Sequence, residues 1–296
     1  MTIERLAPAK INLYLDVLSR RENGYHDIES VMQSISLCDK LTLKISDSSG
    51  ENKIKIDTDS VQIPNDDSNL VYKATKKFID YVWKLCEIKI TAKCFEFYIE
   101  KHIPVCAGMA GGSTDCACAL LMLNQAFDYP LKDNELLTLG ATIGADVGFC
   151  LVGGTAICRG IGDEITPISN IGDAYIVCAI DNSSVSTPVA FKMLDDKYGT
   201  NPLPYGGLES IVNSIKSGGI IKASSLLYNK FESIIAESNK SIDDIKNTLL
   251  KNGALGALMS GSGPSVFGIF DNEIDSVNAY KALKSQKIRA FLCKTL

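Results

Sequence analysis

Along the first hundred residues, apolar and polar side chains alternate in short runs. Ile11–Val17, Lys40–Ile45 and Lys53–Ile56 keep a period of two, which predicts strands with one buried face. The period then lengthens: Val71, Ala74, Phe78 and Val82 fall on one side of a helix, with Ser68 as its expected N-cap. Cys86–Ile99 is β-branched and aromatic and reads as a long strand running into Lys101 and Pro104. The stretch Pro104-Val-Cys-Ala-Gly-Met-Ala-Gly-Gly-Ser-Thr114 opens directly into the apolar run Cys116–Leu123, a glycine-rich turn leading into a buried helix. A second helix is expected from near Asp133 to about Gly144-Ala-Asp146, with strand-like Phe149–Arg159 after it.

A further set of elements begins near Ile165. Ala174–Ile180 predicts a buried strand, Ser183–Thr187 a polar turn, and Gly206–Ser238 is mostly helical in pattern. Ser241-x-x-Asp244 has the form of a capping box for a helix stopped by Gly253. Strand-like Ala257–Met259 and Ser265–Phe270 enclose another glycine loop, Ser260-Gly-Ser-Gly-Pro264; a helix over Glu273–Lys284 and a strand near Ala290 follow. Strands and helices mix in both halves with no repeat. Two α+β domains with a cleft between them are expected.

Composition narrows the classes. A chain of 296 residues, 46% of them hydrophobic, can bury a sizeable core and is neither disordered nor fibrous. Its net charge of −5 argues against a general nucleic-acid binder, though not against a local basic pocket. The ten cysteines lie scattered through apolar stretches without a C-x-x-C pair, so Cys116, Cys118, Cys150 and Cys178 read as small core residues in a reducing compartment. Two histidines, His26 and His102, argue against a His-based zinc site. With no signal core in Met-Thr-Ile-Glu-Arg-Leu and no apolar run of about 20 residues, a soluble cytoplasmic protein without a membrane partner is expected.

The glycine loop is the strongest chemical signal. Backbone N–H groups at the start of a helix hold phosphate, and glycines let the anion approach them. Ser113 and Thr114 stand where a cap or a hydroxyl contact to phosphate belongs. The loop is not a Walker A motif, since no Gly-Lys-Ser/Thr follows. Gly108, Gly111 and Gly112 also miss the Rossmann spacing, and the protein-kinase catalytic set is absent. Three clusters accompany it: Ala7-Pro-Ala-Lys10-Ile-Asn12-Leu, Asn23-Gly-Tyr25-His26-Asp27, and Ile143-Gly-Ala-Asp146-Val-Gly-Phe. Taken singly, they suit an edge-strand charge, a surface turn, and a carboxylate that is either a structural group or a base.

Taken in order, Pro-Ala-Lys-Ile-Asn, Gly-Tyr-His, the glycine loop, Gly-Ala-Asp-Val and Met-Ser-Gly-Ser-Gly-Pro resemble the 4-diphosphocytidyl-2-C-methyl-D-erythritol kinase family. That family belongs to the galactokinase, homoserine kinase, mevalonate kinase and phosphomevalonate kinase superfamily. The resemblance runs from Ala7 to about Phe267. It implies a ribosomal-protein-S5-like N-terminal domain over residues 1–164, holding the ATP-phosphate loop and the catalytic residues. A ferredoxin-like C-terminal domain over residues 165–296 would complete the substrate cleft. It further implies ATP as co-substrate, Mg2+, and phosphorylation of the 2-hydroxyl of the cytidine-diphosphate substrate.

By the same resemblance, Lys10 and Asp146 are the catalytic pair, the lysine keeping the basic carboxylate ionised. Asn69, Lys101 and the loop residues Pro104, Val105, Cys106, Ala107, Gly108, Met109, Ala110, Gly111, Gly112, Ser113 and Thr114 bind the nucleotide. Asn12, Tyr25, His26, Thr187 and Phe191 surround the cytidine substrate, with Tyr25 and Phe191 sandwiching cytosine and His26 bonding its edge. The chain departs from the family pattern at Met109-Ala110 (usually Leu-Gly), Cys106 (usually smaller), Gly148 (usually proline) and Thr187-Pro188 (often Thr-Lys). Two alternatives stay open: another kinase of the superfamily, for which Gly-Tyr-His has no task, and a non-catalytic nucleotide-binding module, against which Lys10, Asp146 and the acidic charge count.

Overall fold

The computed structural model describes residues 1–168, 171–180 and 186–296. They form two compact units, each discontinuous in sequence. The first comprises Met1–Ala9, Cys38–Val105 and Ala110–Val152; the second comprises Lys10–Leu37, Cys106–Met109 and Gly153–Leu296. Two long strands, β1 (Thr2–Arg20) and β2 (His26–Asp47), each contribute to both units. The expected single division at 164/165 falls inside the second unit.

In the first unit, β3 (Lys53–Thr58) pairs parallel with β4 (Lys93–Glu100), and β4 pairs antiparallel with the Lys40–Asp47 part of β2. Helix α1 (Leu70–Cys86) buries the expected stripe of Val71, Ala74, Phe78 and Val82. Its cap is Asn69 rather than Ser68, because Ser68 is drawn back into a turn by Asp66 while Asn69 Oδ1 accepts the Val71 N–H at 2.8 Å. The helix runs to Cys86 and ends on Glu87 in the left-handed region, so the strand expected over Cys86–Ile99 starts only at Lys93. Helix α2 (Gly111–Ala126) is buried on nearly every side, as its lack of a polar face demands. Helices α3 (Asp133–Ala141) and α4 (Val147–Val152) pack beside it; the first half of the strand expected over Phe149–Arg159 is therefore helical. These elements share one core of aromatic and aliphatic side chains, including Phe78, Phe95, Phe97, Leu120 and Val147.

In the second unit, β5 (Thr155–Arg159) joins β2 antiparallel at Ser30–Gln33 and also pairs with β6 (Glu164–Ile168). A separate antiparallel sheet has the order β11–β7–β10–β9, with β7 at Tyr175–Ile180, β9 at Gly256–Met259, β10 at Val266–Phe270 and β11 at Arg289–Lys294. Helices α5 (Thr187–Tyr198), α6 (Leu208–Ala223), α7 (Glu232–Ser238), α8 (Lys240–Lys251) and α9 (Glu273–Ser285) complete it. The stretch expected to be helical over Gly206–Ser238 is interrupted by a short strand, β8 (Tyr228–Asn229), parallel to β1. Asn239 caps α8, its Oδ1 accepting from Ser241 N at 3.2 Å, so Ser241 lies inside the helix instead of capping it. Of the polar turn expected over Ser183–Thr187, residues 183–185 lie outside the described residues. The mixture of strands and helices is the expected α+β class.

Phe78 is fully buried at the centre of the α1 stripe. Phe78→Ala should destabilise the protein by about 3–5 kcal/mol, read from the midpoint of denaturant unfolding.

Candidate functional site

The glycine loop is built from an uncommon backbone. Cys106, Gly108 and Ala110 have φ of 55°, 73° and 58°, alternating with residues of ordinary φ. Such alternation turns successive N–H groups toward a common concavity, the arrangement that holds anions. Ala110 then starts α2 with no side-chain cap, and Ser113 and Thr114, expected as possible caps, lie within the helix's first turns. The leading N–H groups of α2 therefore have no intrahelical carbonyl to bond.

The loop's shape is fixed by the second glycine loop. Ser260 Oγ donates to Gly108 O at 3.0 Å, and Ser265 Oγ donates to Ala107 O at 2.5 Å. A Cβ on Gly108 would lie 2.1 Å from Ser260 O, so only glycine fits there. Asn229 holds the far side, donating to Met259 O at 2.7 Å and Gly261 O at 2.8 Å. The Lys10 N–H bonds Met109 O at 3.2 Å, and the Asn12 N–H reaches Ser260 Oγ at 3.3 Å. Ser260, Ser265 and Asn229 were not among the expected site residues; the Met-Ser-Gly-Ser-Gly-Pro motif was the signal that marked the region.

Lys10 and Asn12 belong to the second unit and are almost fully buried. Lys10 Nζ donates to Asn12 Oδ1 at 2.6 Å, and Asn12 Nδ2 donates to Ser30 Oγ at 2.9 Å. Asp146 belongs to the first unit, half-buried just before α4, where its carbonyl accepts the Cys150 N–H at 3.1 Å.

Asn69 and Lys101, expected at the nucleotide, are both engaged inside the first unit. Besides capping α1, Asn69 donates from Nδ2 to Pro64 O at 2.7 Å. The Lys101 side chain is 3% exposed, and its Nζ sits between two buried carboxylates, Asp39 and, at 2.7 Å, Asp115. Burial works against the ammonium, but the charges of Asp115 and Asp39 outweigh it and hold the Lys101 pKa above its ordinary value. Burial pushes Asp115 up to about 8, with Lys101 opposing the shift and Asp39 adding to it. Asp39 stands 62 residues from Lys101 in sequence and no local pattern announced it, whereas Asp115 directly follows the glycine loop.

The expected substrate residues Tyr25, His26, Thr187 and Phe191 all lie in the second unit. His26 is buried, its ring stacked on Phe191 at 4.4 Å and 17°, with Nε2 2.8 Å from Asp195 Oδ1. Phe191 and Asp195 are one turn apart on α5, so one helix face supplies both contacts. Phe191 meets Phe231 edge-on at 4.9 Å, and Tyr25 is 57% exposed. Thr187 shares a hydrogen bond with Ser262 at 3.0 Å. Nearby in the same unit, Asp16 and Lys230 form a buried ion pair at 2.9 Å, and Asp16 also accepts the Tyr205 N–H at 2.7 Å. Tyr205 stacks on Tyr228 at 4.0 Å; burial, with Asp16 adding, pushes the Tyr228 hydroxyl up to about 12.

The chain is similar to known proteins over nearly its full length. The family profile described as "GHMP kinases N terminal domain" matches residues 69–154, and "GHMP kinases C terminal" matches residues 214–289. A protein of Clostridium kluyveri named 4-diphosphocytidyl-2-C-methyl-D-erythritol kinase is 38% identical over 98% of this chain and 99% of its own length. One of the same name from Caldicellulosiruptor saccharolyticus is 39% identical over 94% of this chain and 91% of its own. A crystal structure of 4-(cytidine 5'-diphospho)-2C-methyl-D-erythritol kinase superposes with a TM-score of 0.78 at 28% identity, covering 99% of each chain. A homoserine kinase from Cytophaga hutchinsonii, 19% identical with a TM-score of 0.73 over 100% of this chain and 94% of its own, shares the fold. With near-complete coverage at this identity, and both GHMP domains matched, the chain belongs to the 4-diphosphocytidyl-2-C-methyl-D-erythritol kinase family of GHMP kinases.

Proposed function

We propose that this chain is a kinase that transfers the γ-phosphoryl group of ATP to the 2-hydroxyl of 4-diphosphocytidyl-2-C-methyl-D-erythritol, in the non-mevalonate route to isoprenoid precursors. The observation that carries this reading is the glycine loop, with its alternating left-handed residues and the uncapped start of α2. Such a loop offers backbone donors to a triphosphate, and phosphoryl transfer asks chiefly for positioning and charge neutralisation. Pro104–Thr114 would hold the phosphates. Asn69 would shape the nucleotide wall through the turn it caps, and Lys101 would sit beside Gly111 at the start of α2.

Asp146 is the general base in this reading. A tertiary alcohol is weakly acidic, and a positioned carboxylate takes its proton as the oxygen attacks phosphorus. Lys10 offsets the negative charge that develops, its ammonium oriented by Asn12. Magnesium, in sites of this kind, is held through substrate phosphates, waters and one or two carboxylates, and it neutralises phosphate charge.

Asn12, Tyr25, His26, Thr187 and Phe191 would receive the cytidine substrate. Tyr25 has a ring face open to a base, whereas Phe191 carries His26 on one side. A cytosine sandwiched by Tyr25 and Phe191 would therefore displace the His26 ring or use the other face of Phe191. A cytoplasmic location accords with ten free cysteines, and among the described residues no helix is long and apolar enough to cross a membrane.

Three measurements test this reading. ADP release should be rapid with the cytidine-diphosphate substrate and negligible with mevalonate, phosphomevalonate or homoserine; turnover of one of these instead would replace the assignment. Asp146→Asn should cut turnover by about 10²–10⁴ while ATP affinity stays nearly intact. Phe191→Ala should raise KM for the cytidine substrate by about 5- to 150-fold, the worth of one base stack, with KM for ATP unchanged. Equal loss of both affinities, together with a fallen Tm, would make Phe191 a core residue only.

A further inference from the structure

Three charged side chains are buried together in the first unit, and the reaction derived above draws on only one of them. Lys101 lies just beyond β4, Asp39 lies near the middle of β2, and Asp115 lies on α2. The two oxygens of Asp39 are fully occupied: one meets Lys101, and the other accepts the N–H groups of His102 at 2.6 Å and Ile103 at 2.8 Å. Asp115 is different. Its Oδ2 meets Lys101 at 2.7 Å, but its Oδ1 is buried with no hydrogen-bond partner among the described residues. Fully charged, the cluster carries one negative charge more than positive, and that excess falls to the carboxylate whose buried oxygen lacks a protein donor among the described residues. A carboxylate in that position is relieved most directly by binding a proton.

The cluster also lies where the nucleotide reading puts the phosphates. A Cβ on Gly111, the first residue of α2, would come 3.1 Å from Lys101 Nζ. Asp115 is one turn further along, about 6 Å down the axis. We propose that Asp115 takes up a proton from solvent when a nucleotide triphosphate docks on the glycine loop, so that the Asp39–Lys101–Asp115 cluster meets the anion without a net negative charge. The proton comes from the buffer acid and ends on Asp115; no other bond changes. This rests on the nucleotide reading of the loop.

The surroundings of Asp115 support the coupling. Lys101 and Asp39 are the charged groups that act on it directly. Arg5 on β1 and Lys77 on α1 act on its neighbours Cys118 and Cys116, whose thiols burial pushes up, with the charge of Asp115 adding. Helix α3 brings Asp133, which is exposed, and Glu135, which bonds the Lys132 N–H at 2.6 Å. Helix α4 brings Cys150, with Asp146 preceding it. With its pKa pushed by burial up to about 8, Asp115 is still partly ionised around that pH, and an approaching polyanion drives proton uptake by that fraction. The sign follows: docking and proton uptake favour each other, so nucleotide affinity declines as the pH rises past 8.

Calorimetric titration of the protein with the magnesium complex of a non-hydrolysable ATP analogue, in buffers of different ionisation enthalpy, reads the uptake. At pH 8 it should be a measurable fraction of a proton per nucleotide, fading toward pH 6, and Asp115→Asn should abolish it. A merely structural Asp115 would lower Tm on substitution and leave the buffer dependence unchanged, which overturns the proposal. Should Asp115→Asn fail to fold, the infrared difference spectrum of the unaltered protein at pH 8 must gain a protonated-carboxyl band on nucleotide binding; its absence is equally fatal. Binding with a buffer-independent heat sinks the proton step alone, whereas no binding at all sinks the nucleotide reading together with it.

Discussion

The hydrogen bonds from Ser260 Oγ to Gly108 O and from Ser265 Oγ to Ala107 O are the contacts on which the candidate site depends. A loop that binds through its backbone has few side chains with which to hold its own shape. Cys106 and Ala110 also sit in the left-handed region without being glycine, at a cost of about 1–2 kcal/mol each. Strained residues of this kind persist where the surroundings over-determine the backbone. Here Ser260 and Ser265 hold Gly108 and Ala107 from one side, the Lys10 N–H holds Met109 O, and the Ser260–Pro264 loop is itself fixed by the two donors of the Asn229 amide. Each bond contributes only about 1 kcal/mol net, yet each also satisfies a carbonyl that would otherwise be left without a donor.

The buried charges share a similar logic. Asp16–Lys230 and the Lys101 cluster are buried, and apolar replacements of equal size are often as stable as a buried ion pair. What such pairs supply is a fixed register. Lys230 Nζ bonds Asp16, Val17 O and Leu203 O at once, so β1 and the segment leading to α6 are held by a single ammonium. Lys101 likewise joins the end of β4 to β2 and α2, on either side of the glycine loop in sequence. Asp39 is well supplied with donors and Asp115 is not, which divides the two carboxylates into an anchor and a group able to change its charge.

Much of this was legible in the sequence, for identifiable reasons. The α1 stripe was clear because the helix buries one face only. The glycine loop and Ser260–Pro264 were clear because glycine serine runs of that density are rare within apolar surroundings. Short apolar runs misled: Phe149–Val152 suits a helix turn as well as a strand, and a window of that length cannot separate the two. The full extent of β1 and β2 was hidden because each passes from one core to another, so no single alternation holds along it. His26 read as part of a surface turn, since the stack on Phe191 and the contact to Asp195 come from residues far along the chain. Cluster partners such as Asp39 were invisible for the same reason.

The interleaved course of the chain bears on how the protein is made. Synthesis delivers every residue of the first unit by Val152, so that unit can close its core while the ribosome is still working. Lys10–Leu37, by contrast, must wait for strands and helices that emerge near the very end. During that interval the inner portions of β1 and β2 have open edges and apolar faces, the condition under which nascent chains recruit chaperones or associate with one another. Because each unit takes pieces from separate stretches, no cut of the gene yields one of them as a continuous fragment. The order of translation, rather than any boundary in the sequence, therefore decides which half of this enzyme exists first.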